Sequence, residues 1–193
     1  MKVYRLSNNP QEFKTLALDV INLATQLGDR KLNVLLRSQC TTNESLLEVW
    51  NDQVECSMRD VLGKDSAIPD VSLWNGPNIL LSEKAYAVLG PELQDGGDFL
   101  PIKVDGTYMQ IFNCRSFGKE NDDLCTTKYI DGVDFGPETL AFDDADINNR
   151  FVFKSKFEGG LTLFATEKFK ALCEKKGLEG LIFKEDLLDP YIY

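Results

Sequence analysis

The chain has 193 residues, a formal net charge of −10 and no histidine. A chain of this length buries roughly 70% of its unfolded surface, so it needs no disulfide or metal staple. The missing imidazole excludes Ser-His-Asp and Cys-His catalysis and histidine-ligated zinc, and the negative charge repels nucleic acid and anionic membranes.

Residues 2–6 predict a short strand. Asn9-Pro10-Gln11-Glu12 predicts a helix start, because Asn9 can cap, Pro10 suits the first helical position and Glu12 lies three residues on. Phe13, Leu16, Ala17, Val20, Ile21, Ala24 and Leu27 follow at helical spacing, and Gly28 is a natural stop. Residues 32–36 are a short apolar run, expected as a strand. A second amphipathic helix is expected over about 44–62, with Leu47, Trp50, Val54, Met58 and Val61 as its stripe and Gly63 as its end.

Pro69, Gly76 and Pro77 mark a change of texture, after which strands dominate. Asp105-Gly106 stands between β-rich runs at 99–104 and 107–113, which predicts a hairpin. Further strands are expected at 127–131, 138–142, 150–154, 161–164 and 180–184. Two segments resemble each other, Leu80-Leu81-Ser82-Glu83-Lys84 and Phe164-Ala165-Thr166-Glu167-Lys168. Each places a hydroxyl where it can cap a following amphipathic helix, with glutamate in the positive first turn. A single pair leaves structural equivalence and shared capping chemistry equally open.

Charge is concentrated in one stretch. Residues 120–149 hold nine acids and one base, Lys128, so about a sixth of the chain carries a net −8. One reading is a solvated loop region that keeps the protein soluble. The other is a docking surface for a basic partner, since clustered acids raise the local potential and speed capture. Tyr129, Ile130, Val133, Phe135, Leu140 and Phe142 are interleaved with the acids, which predicts that part of the stretch is folded. An acidic imitation of nucleic acid would also act by binding proteins and merges with the docking reading.

Other chemistry finds little support. Asp144-Ala145-Asp146-Ile147-Asn148 opens like a calcium loop, but Asn149 and Ser155 stand where glycine and the bidentate glutamate belong. Phosphate-cradling glycine loops and a G-x-S-x-G elbow are absent from the sequence. The five cysteines, at 40, 56, 114, 125 and 173, form no C-x-x-C and are expected as reduced thiols. No run of about 20 apolar residues occurs, and Met1–Leu6 lacks a signal-peptide core, so the expected location is the cytoplasm. The sequon Asn43-Glu44-Ser45 has no meaning there.

From about residue 69 to 193 the chain resembles a family of bacterial immunity proteins of polymorphic toxin systems, formerly known as a domain of unknown function. The resemblance lies in the order of Pro69-Asp70, Gly76-Pro77, Ile79–Lys84, Phe99–Ile102, Tyr108–Asn113, Arg150–Phe153, Leu163–Glu167 and Gly177–Phe183. It implies binding and neutralisation of a cognate toxin, with no catalytic motif.

These readings lead to an α+β fold, with a helical N-terminal portion, residues 1–68, packed on a largely antiparallel sheet with short flanking helices. Residues 69–193 form the immunity-like part, within what can be one continuous core. The expected function is a cytoplasmic immunity protein that occludes a toxin's active site. It is not expected to be an enzyme, to hold a metal or cofactor, or to bind nucleic acid or membrane. Asp131, Asp134, Glu138, Asp143, Asp144 and Asp146 would steer the basic partner, and Tyr129 and Phe142 would anchor it. The alternatives are a carboxylate-only enzyme, including one that reverses a toxin's modification, and an acidic adaptor for a basic protein.

Overall fold

The computed structural model describes residues 1–189. The N-terminal part runs β1 (Val3–Asn8), β2 (Thr15–Leu16), α1 (Val20–Gln26), α2 (Leu32–Thr42), β3 (Glu55–Cys56) and β4 (Met58–Arg59). The middle runs β5 (Val71–Trp74), β6 (Asn78–Leu81), α3 (Glu83–Leu93), β7 (Gly97–Val104) and β8 (Thr107–Cys114). There follow β9 (Thr126–Ile130), β10 (Val133–Thr139), α4 (Asp144–Ile147), β11 (Val152–Lys154), β12 (Leu163–Thr166), α5 (Glu167–Lys176) and β13 (Leu181–Lys184). One sheet has the order β3-β7-β8-β6-β5 and another β11-β12-β1-β13; β9 with β10 and β2 with β4 form separate two-stranded pairs. Every named pairing is antiparallel except β3 with β7.

The fold is α+β, but its N-terminal portion is less helical than its periodicity predicts. Over 9–28 only α1 is helical, capped by Asp19, whose carboxylate accepts from Ile21 N and Asn22 N. Upstream, tertiary partners take the backbone: Lys14 N donates to Ala67 O and Ala17 N to Ser57 O. The run at 32–36 begins helix α2, which buries Leu36, Gln39 and Cys40 at helical spacing. The helix expected over 44–62 does not form. The expected stripe divides: Val54 is buried in the core with Trp50 and Met58 packed against it, whereas Leu47 and Val61 are exposed. Side chains satisfy the backbone instead, locally where Asn51 Oδ1 accepts from Gln53 N and Asp60 Oδ1 from Leu62 N, and from the β7–β8 turn where Asp105 Oδ2 accepts from Met58 N.

Further along, the sequence is more literal. β7 and β8 form the Asp105-Gly106 hairpin in unbroken register from Gly97↔Cys114 to Val104↔Thr107. Ser82 Oγ accepts from Ala85 N and caps α3. Thr166 does not cap α5; its hydroxyl donates to Arg150 O at 2.8 Å.

The two similar segments are structurally equivalent. β5-β6-α3-β7 and β11-β12-α5-β13 are the same strand–strand–helix–strand unit, and from β6 and β12 onward they match at a constant spacing. Ile79 pairs off with Leu163, Leu81 with Ala165, Ala85 with Phe169, Leu89 with Cys173 and Phe99 with Phe183, and each of these side chains faces one shared core. The backbone bond Ser82 N to Asp70 O recurs as Thr166 N to Phe151 O. In the first unit β8 lies between β6 and β7; in the second, β1 lies between β12 and β13. The N-terminal strand therefore completes the C-terminal unit, and no core boundary falls at residue 68.

Strand alternation gives each sheet two apolar faces. The inner faces share the core holding Leu6, Val71, Phe112, Val152 and both unit helices. Behind the five-stranded sheet, α1, α2 and Trp74 cover Leu80, Leu100 and Ile111. Behind the four-stranded sheet, Phe142 and Ile147 cover Phe153 and Phe164. Lys154 ties these layers together. It is fully buried, donates to Cys40 O and Asn43 Oδ1 at 2.8 Å each, and lies 4.5 Å from the Phe117 ring centroid.

Candidate functional site: the acidic arm

The acidic stretch is a hairpin on a packed base. β9 and β10 are joined by Asp131-Gly132, both at positive φ, as a two-residue type I′ turn requires. The expected strand at 127–131 is β9, one residue early. The strand expected at 138–142 is instead β10, because the turn falls earlier and residues 141–143 leave the pair to join the base. There Asn121 N donates to Ala141 O and Asp143 N to Lys119 O, both at 2.9 Å. The Thr126 and Thr139 hydroxyls meet at 2.9 Å, and Thr139 Oγ1 donates to Leu124 O. Beyond this root, β9 and β10 pair only with each other among the described strands.

The acids divide into two groups. Asp143, Asp144 and Asp146 lie at the base and are engaged within the chain. Asp143 caps α4 by accepting from Ala145 N and stands 3.6 Å from Lys119 Nζ. Asp144 pairs with the Met1 amine at 2.6 Å. Asp146 accepts two bonds from Arg150, at 3.0 and 3.1 Å, and one from Lys119 N. The Arg150 bonds, helped by the Lys119 N–H, hold its carboxyl below the usual aspartate value. Glu120 is also engaged, accepting from Ser155 Oγ and Phe157 N. By contrast, Asp122, Asp123, Asp131, Asp134 and Glu138 have no ion-pair partner within 4.0 Å among the described residues.

The expected aromatic anchors also divide. Tyr129 is 65% exposed on the arm. Phe142 is 7% exposed, with its ring centroid 4.8 Å from that of Phe153 and 5.3 Å from that of Phe164. It is a core residue and cannot anchor a partner. In its place the arm exposes Ile130 (42%), Val133 (59%) and Phe135 (60%). The sequence reading took these three only as a sign of folding. A second Asp-Gly between apolar runs was the signal that marked them as strand residues beside a turn.

Other candidate chemistry is placed as follows. The calcium-like opening at Asp144 is the short helix α4, and no group of three or more acids and thiols is arranged for a metal among the described residues. All five cysteines are free thiols. Burial pushes Cys56 and Cys114 up to about 11 and Cys173 to about 12, so these are inert at neutral pH. A groove of about 630 Å³ runs along the arm's root, lined by Lys2, Leu124, Leu140, Asp144, Glu185 and Leu187 among others. Among the described residues no helix is long and apolar enough to cross a membrane. No protein-family model matches the chain, and no curated protein matches it significantly.

Proposed function

We propose that this chain is a cytoplasmic immunity protein that binds a basic toxin domain and neutralises it by occluding its active site, without catalysis or a cofactor. The observation that carries the reading is the arm, where three carboxylates without an ion-pair partner, Asp131, Asp134 and Glu138, stand beside the exposed apolar side chains of Ile130, Val133 and Phe135. Exposed apolar area with one sign of charge around it suits a protein partner of opposite charge. The order of motifs over 69–193, which resembles that of immunity proteins, supports the same reading. In it Asp131, Asp134 and Glu138 steer the partner and Tyr129 touches it. Asp143, Asp144 and Asp146 hold the arm's base.

The test is growth of a sensitive host expressing a toxic domain that this chain captures from lysate of its source organism, with and without this chain at graded levels. Neutralisation with one copy per toxin is expected. Rescue at far below stoichiometric levels would indicate an enzyme, and no rescue would contradict the proposal.

A further inference from the structure

We infer that the arm engages its partner through the face that bears Ile130 and Val133, which with Phe135 beside them fill an apolar slot whose rim is basic. This rests on the binding function proposed above and adds the mode of contact and the chemistry of the receiving site.

The face follows from the register. Ile130 is paired with Val133, so these two share a side, and exposed Phe135 follows where the register shifts before Pro137. Tyr129 and Asp134 are paired with each other and point the opposite way. A lone two-stranded hairpin is marginal in water, and uncovered side chains on it add nothing to folding. An apolar cluster at the end of a rooted arm is accounted for by a surface that covers it in a complex.

Charge specifies that surface. Asp131 lies in the turn beside Ile130, while Asp134, on the opposite side with Tyr129, and Glu138, lower on β10, add to the arm's negative potential, against Lys128 alone. A neutral or acidic rim would leave Asp131 unpartnered and meet that potential uncompensated, which costs binding energy. Lysines or arginines around an apolar slot satisfy both features.

Strand addition along β10 is the other way a hairpin binds a protein, and the geometry disfavours it. The β9–β10 register shifts between Asp134 and Pro137 and again before Thr139. Proline offers no N–H, and bulges blunt a strand edge as a template. Strand addition at the outer edge of β9, which carries no proline, would leave binding of a serine variant on the apolar face unchanged.

The probe is the purified toxin domain from the neutralisation assay, with binding rates measured against the full chain. Ile130→Ser/Val133→Ser/Phe135→Ser is expected to weaken binding about 100-fold, mainly through faster dissociation. Asp131→Asn/Asp134→Asn/Glu138→Gln is expected to slow association and flatten its salt dependence. Both variants should retain the parent's far-ultraviolet circular dichroism and melting temperature. Binding of the serine variant within twofold of the parent would overturn the slot while leaving the immunity reading intact. A parent chain that binds no toxin domain would overturn both.

Discussion

Ile130 and Val133 face each other across the Asp131-Gly132 turn, and both are exposed. Phe142, only seven residues beyond Phe135, is packed between Phe153 and Phe164. The acidic stretch thus changes within a few residues from exposed arm to core.

That change predicts opposite effects on stability. Val133→Ser and Phe135→Ser should each shift unfolding free energy by less than about 0.5 kcal/mol, as exposed substitutions do. Phe142→Ala should cost about 3–5 kcal/mol by opening a cavity in the core. Urea unfolding of the three variants measures both.

The base acids should behave as structural groups. Asp146→Asn should destabilise the chain at neutral pH by about 1–2 kcal/mol, because charge-assisted bonds from Arg150 and Lys119 are weakened. Its carboxyl is held below the usual aspartate value of 3.8, so its contribution is complete above that pH and is lost as pH falls through the lower folded value. Stability followed from pH 6 downward should therefore fall less steeply below about pH 4 in the variant than in the parent.

Lys154 gives a prediction at the alkaline end. Lys154→Met should destabilise by about 2 kcal/mol at pH 7, since Cys40 O and Asn43 Oδ1 lose their donor. Burial holds the ammonium below the usual lysine value of 10.5. Between the folded value and 10.5 the unfolded chain binds more protons, so the parent gains stability there as pH rises. The deficit of the methionine variant, measured by denaturant unfolding, should widen towards pH 10.5.

The place of β1 predicts how the chain divides. Residues 69–193 expressed alone lack the strand between β12 and β13, leaving both with unpaired inner edges. That fragment should show no cooperative melting transition in calorimetry, whereas the full chain should. A sharp transition in the fragment would mean β1 is dispensable.

Local chemistry explains how much of this was legible in the sequence. The Asp105-Gly106 hairpin, the Ser82 cap and α5 with its Gly177 stop are set by residues close in sequence, and they stand where those residues point. The helix expected over 9–28 forms only as α1, and the one expected over 44–62 does not form, because backbone groups there are taken by distant partners such as Ala67 and by Asx side chains such as Asp60. The similarity of Ser82-Glu83-Lys84 to Thr166-Glu167-Lys168 became a structural equivalence only through the shared spacing of Ala85 and Leu89 with Phe169 and Cys173. At the site, the concentration of acid was readable from composition. Its division into paired Asp143, Asp144 and Asp146 and unpaired Asp131, Asp134 and Glu138 was not, because Arg150, Lys119 and the Met1 amine reach the first group through folding. Phe142 and Phe135 look alike in sequence, and only packing separates them.

In the function proposed here the arm is the part of the protein that meets its partner. Amide hydrogen exchange on the full chain, with and without the purified toxin domain, tests it most directly. New protection is predicted across Thr126–Thr139, with the already paired segment around Asp146 and Arg150 unchanged. Protection elsewhere on the surface, with the arm exchanging as fast as in the free chain, would contradict it.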